Sequence, residues 1–185
     1  MTNKTNMIRL FVAIDLPDSI KEELRAISFG LPGAKWVPAD QLHLTLRFIG
    51  EVDGGLFREI REALQHVESE GFAMNLKGLG YFPPRQQPRV LWVGMEKCEP
   101  LWQLRKKVDR ELAQLGIPPE KRNFSPHITI ARLKETPLDR LTNFLSGNAL
   151  FTLPEFQVDS FYLYSSVLTP KGPIHQQEAG YHLGE

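Results

Sequence analysis

Along the chain, apolar residues switch between the period of a strand and that of a helix. Residues 8–16 (IRLFVAIDL) are rich in β-branched and aromatic side chains and predict a strand. Pro17-Asp18 then opens a helix with Ile20, Leu24 and Ile27 on one face, and residues 30–33 end it at two glycines. A loop through Trp36 and Pro38 leads to a strand over residues 43–49. The glycines of residues 50–55 precede a helix with Phe57, Ile60, Leu64 and Val67 on one face, and residues 72–79 predict a further strand.

Prolines 83, 84 and 88 then interrupt the pattern, and the same order of elements begins again. A strand is expected over residues 90–95 (VLWVGM), a helix over about 101–115, a loop at Pro118-Pro119 and a strand from His127. A helix near 138–145, with Pro137 in its first turn, and strands around 151–158 and 160–166 follow; Gly180-Tyr181-His182 closes the last strand. Strand, helix, strand, helix, strand read twice predicts an α+β molecule. Residues 1–185 would form one domain of two similar lobes related by an approximate twofold, around a central cleft. Short connections and hairpin-like closing strands favour mainly antiparallel sheets with flanking helices.

The third element of each round carries the same four-residue motif, His43-Leu44-Thr45-Leu46 and His127-Ile128-Thr129-Ile130. In an extended strand the His and Thr project to one side and the two apolar residues to the other. Each copy therefore presents an imidazole beside a hydroxyl. Two imidazoles on facing strands can hold opposite protonation states, as phosphodiester cleavage requires of its acid and base. The threonine hydroxyls can donate to phosphoryl oxygens as charge develops, and no part of the arrangement needs a metal. An arginine would suit the phosphate charge. Arg47 shares the face of His43 and Thr45 by strict alternation; Arg132, five residues beyond His127, does so only where the strand bends or ends.

Composition narrows the partners. Lys plus Arg and Asp plus Glu are both 22, a formal net charge of zero, unlike proteins that grip long nucleic acid. Any nucleic acid is expected to be held locally, at an end. The single cysteine, Cys98, excludes an intramolecular disulfide and favours a reducing cytoplasm, and residues 1–7 are too polar for a signal peptide or membrane span. His66, His175 and His182 stand in no zinc-like cluster and read as surface or structural. Phe11, Phe48, Tyr81 and Phe82 fall on or beside the cleft strands, with core packing as the main expectation.

These residues resemble a known family, the RNA 2′,3′-cyclic phosphodiesterases or 2′-5′ RNA ligases of the 2H phosphoesterase superfamily. Besides both motifs, the resemblance runs through residues 9–17 (RLFVAIDLP), 42–51 (LHLTLRFIGE), 89–94 (RVLWVG) and 124–132 (FSPHITIAR). It implies a bilobed α/β fold and an activity that opens a 2′,3′-cyclic phosphate at an RNA end to a 2′-phosphate, with no cofactor and no obligate protein partner. By position, His43 matches the proton donor and His127 the acceptor, Thr45 and Thr129 the phosphate-binding threonines, and Arg132 a family arginine. Reverse joining as a 2′-5′ bond, and tRNA fragments as substrates, fall within what the resemblance implies. The rival readings are a metal-dependent hydrolase, a noncatalytic RNA-end phosphate-binding module and a related cyclic nucleotide phosphodiesterase.

Overall fold

The computed structural model describes residues 6–184. In chain order the elements are β1 (Ile8–Asp15), α1 (Asp18–Ala26), β2 (Ala34–Trp36), β3 (His43–Val52), α2 (Gly54–Ala63), β4 (Phe72–Met74) and β5 (Leu76–Phe82). Then come β6 (Val90–Met95), α3 (Glu99–Gln114), β7 (Ile128–Leu133), α4 (Leu138–Gly147), β8 (Phe156–Val158), β9 (Ser160–Thr169) and β10 (Gly172–His182). There are two four-stranded sheets, ordered β10-β9-β1-β3 and β2-β7-β6-β5, and a separate two-stranded β4-β8 sheet. Every strand pair within them is antiparallel.

Burial explains the elements. β1 is covered on both faces: Leu10, Val12 and Ile14 enter the main core, while Phe11 and Ala13 pack with Tyr164 on the other side. Ile20 and Leu24 turn α1 onto that core, and Leu101, Leu104, Val108 and Leu112 do the same for α3. The Asp53 side chain accepts from the Leu56 amide at 2.9 Å and so caps the start of α2.

The repeat in element order does not give each round a sheet of its own. The first sheet takes β9 and β10 from the C-terminal part, and the second takes β2 and β5 from the N-terminal part. Several expected boundaries also move. Residues 72–79 split at Asn75 into β4 and β5, which join different sheets; the Asn75 side-chain amide donates to the Leu153 carbonyl. The loop at Trp36 contains β2, too short to display alternation but paired with β7. Strand 151–158 shortens to β8, and Pro137 is the residue that precedes α4 rather than part of its first turn. β9 runs on to Thr169, and β10 pairs with it along nearly its whole length. An edge strand such as β10 (GPIHQQEAGYH) lacks the apolar alternation that marks a half-buried strand.

Candidate active site

One cavity of about 1000 Å³ is lined from both four-stranded sheets, and His43, Thr45, His127, Thr129 and Arg132 all face it. The two motif strands reach it with the same local geometry. The His43 Nδ1 lies 2.8 Å from the Gln41 carbonyl, and the His127 Nδ1 lies 2.7 Å from the Ser125 carbonyl. A carbonyl oxygen only accepts, so each Nδ1 carries the hydrogen and each Nε2 is left as the reactive nitrogen.

Two bulges decide which side chains share that face. Across β1, Ala13 pairs with Thr45 and Val12 with Arg47, so Leu46 is an extra residue. Across β6, Trp92 pairs with Thr129 and Leu91 with Ala131, so Ile130 is extra. Each bulge reverses the alternation after the threonine. Arg132 thereby returns to the cavity side and is exposed there. Arg47, which strict alternation would put beside Thr45, is instead turned inward and is only 2% exposed. It donates to the Phe48 carbonyl at 3.1 Å, the Asp109 carboxylate at 3.2 Å and the Pro118 carbonyl. Phe48 takes the place in the first strand that Arg132 holds in the second, and it too lines the cavity.

The histidines differ in their surroundings. His43 packs 5.0 Å from the Phe11 ring and 5.9 Å from Tyr164, which itself stacks on Phe11 at 5.1 Å. Burial in this setting pulls the His43 imidazole down to about 4; the bonded Gln41 carbonyl opposes the shift and nearby His175 adds to it. His127 meets Phe82 edge-on at 5.1 Å.

His175, which the sequence pattern marks as surface or structural, lines the cavity from β10. Its ring stands perpendicular to His43 at 5.1 Å, and its backbone amide donates to the Gln41 side chain at 2.8 Å. Gln41 therefore holds His43 through its carbonyl and β10 through its amide oxygen. Burial first, and then Arg132, lower the proton affinity of His175. The register of the β9-β10 hairpin brings His175 here, and no local motif announces it. Arg9, Lys35 and Lys171 also line the cavity. With Arg132 they make it cationic in a chain of zero net charge. Among the described residues, no group of three or more His, Cys, Asp or Glu side chains is placed to hold a metal ion.

A duplicated His-Thr strand facing one cleft is the arrangement of a two-histidine phosphoesterase, and comparison with known proteins gives the family. Residues 14–92 and again 93–175 match LigT like Phosphoesterase. The chain belongs to that family. The RNA 2′,3′-cyclic phosphodiesterase of Thermotoga maritima is 39% identical over 175 residues, covering 91% of this chain and 92% of the relative. Its namesake in Archaeoglobus fulgidus is 36% identical over 172 residues, covering 91% and 97%. Among solved structures, a Thermus thermophilus protein superposes with a TM-score of 0.79 at 30% identity, covering 96% of this chain and 99% of the other. E. coli LigT in complex with 3′-AMP gives a TM-score of 0.77 at 28% identity, covering 97% and 100%.

Proposed function

We propose that this protein hydrolyses RNA 2′,3′-cyclic phosphate ends to 2′-phosphomonoesters by two-histidine acid–base catalysis. The observation that carries the reading is the pair of imidazoles on one cavity, each with Nδ1 tied to the carbonyl two residues earlier and Nε2 left to react. His127 Nε2 takes a proton from water, and the water oxygen bonds to phosphorus. The bond from phosphorus to O3′ breaks, O3′ takes a proton from His43, and the 2′ ester stays intact. Thr45 and Thr129 donate to the phosphoryl oxygens, and Arg132 balances their charge.

The assignment of His43 as donor comes from the family resemblance. In the free cleft His43 is neutral at pH 7, since its proton affinity is held near 4. The anionic cyclic phosphate supplies the counter-charge that restores its proton. The roles exchange in reverse, so the same site can join a cyclic end to a 5′-hydroxyl through a 2′-5′ bond. The names of the relatives support RNA as the substrate. RNA ends, tRNA fragments included, in the cytoplasm are the proposed setting; no helix among the described residues is long and apolar enough to cross a membrane.

The test is incubation of the protein, in EDTA, with a short RNA ending in a 2′,3′-cyclic phosphate, followed by product identification. A 2′-phosphate formed at full rate is expected. A 3′-phosphate would contradict the assignment of O3′ as leaving group, and dependence on added metal would contradict the two-histidine chemistry.

A further inference from the structure

Beyond His127, the sheet β2-β7-β6-β5 continues into a second hollow of about 480 Å³ that the hydrolytic reaction leaves unused. Trp92 lines it. This residue pairs across the β6-β7 ladder with Thr129 and so shares the face of the second motif. Its indole lies flat on the sheet because its neighbours there are glycines. A Cβ on Gly80 would come within 2.2 Å of the ring, and one on Gly94 within 3.1 Å. The Trp92 ring is 5.3 Å from Phe82 and 6.4 Å from His127. Trp102 and Pro126 wall the hollow and Lys97 stands beside it, while Lys77 is paired with Glu96 at 3.1 Å.

This arrangement costs stability. The Trp92 Nε1–H meets no acceptor among the protein groups around it. Glycines inside strands weaken them, and two are kept here to make room for a ring that stays half-buried rather than entering the core. Local features that work against stability beside a reactive group point to a function. A flat aromatic face with a lysine nearby suits a nucleobase and its backbone phosphate.

We infer that the Trp92 shelf is an acceptor subsite, which stacks the first base of an RNA strand and delivers its 5′-hydroxyl to His127 in place of water. This rests on the reading under Proposed function. The nucleoside bearing the cyclic phosphate lies toward His43, which protonates its O3′, so the nucleophile arrives from the His127 side, where the shelf is. The 5′-hydroxyl gives its proton to His127 Nε2 and its oxygen bonds to phosphorus. The bond from phosphorus to O3′ breaks, and O3′ takes its proton from His43. One ester is exchanged for another, so no nucleotide triphosphate is consumed. The product is a 2′-5′ phosphodiester, and in reverse the shelf holds the departing strand.

Two measurements test the shelf. Protein labelled with 5-fluorotryptophan, its main cavity saturated with adenosine 2′-monophosphate, is titrated with the 5′-hydroxyl dinucleotide ApA and followed by ¹⁹F NMR. The Trp92 signal, assigned with Trp92→Phe, is expected to move saturably; no movement at millimolar ApA overturns the subsite. Independently, Trp92→Leu is expected to lower the ratio of strand joining to hydrolysis of adenosine 2′,3′-cyclic phosphate by about 10- to 100-fold, the loss of one stacked base. An equal loss in both reactions makes Trp92 a support for His127 and also overturns it. Wild-type protein without hydrolytic activity would strike the reading under Proposed function, while the ¹⁹F titration still decides the shelf.

Discussion

His43 and His127 each stand two residues beyond the carbonyl that holds them, yet only His43 is enclosed by Phe11, Tyr164 and His175. That enclosure removes water from the imidazolium, so the free protein holds His43 neutral over the whole physiological range. A bound phosphate reverses the balance, because a negative charge against the ring favours its protonated form. In a histidine NMR titration, His43 is expected to change state near pH 4 in the free protein and at higher pH with adenosine 2′-monophosphate bound. Each unit of upward shift corresponds to about 1.4 kcal/mol of interaction with the phosphate. An unchanged midpoint would mean that the phosphate does not sit against His43. At this scale, the four motif side chains are legible in the sequence because strand alternation alone predicts their common face. His175 and Gln41 are not, since both depend on a hairpin register that is set across the fold.

Among the elements, the bulged motif strands separate the two arginines. Arg132→Ala is expected to lower kcat/KM by about 10²- to 10³-fold, as loss of one charge-stabilising donor does, with little change in stability. Arg47→Ala should do the opposite. It takes a buried donor from the Phe48 and Pro118 carbonyls and from Asp109, which keeps Arg105 at 3.3 Å, at a cost of about 1–3 kcal/mol, read as a lower denaturant midpoint. If Arg47→Ala abolished activity in a protein of unchanged stability, the bulge at Leu46 would be misplaced. Alternation carried past a threonine mistakes Arg47 for a cleft residue, because a bulge is one extra residue with no signature of its own. The strands bearing long apolar runs are legible; β2, short and at a sheet edge, is not, and of the polar edge strand β10 only its end at Gly180-Tyr181-His182 is. Residues 72–79 look like one strand since both halves are apolar, and only their separate partners divide them.

For the molecule as a whole, the element order repeats while each sheet completes itself with strands from elsewhere in the chain. One continuous core, running from Leu10 through Leu104 to Leu183, ties the two sheets together. Zero net charge with a cationic cavity implies grip at the RNA end rather than along the strand. Four cations line that cavity, Arg9, Lys35, Arg132 and Lys171. The slope of log KM against log salt is therefore expected not to exceed about 3, and to be the same for a dinucleotide and a long RNA. A slope that steepens with RNA length would reveal a strand-binding surface outside the cavity.

The most direct measurement is kcat/KM of His43→Ala, His127→Ala and the double variant on an RNA ending in a 2′,3′-cyclic phosphate. Each single variant is expected to lose about 10²- to 10⁴-fold, and the double variant little more than the worse single, as groups acting in one proton-transfer step do. Near-wild-type turnover by either single variant would contradict paired-histidine catalysis and leave the cleft as a site that binds RNA ends without cleaving them.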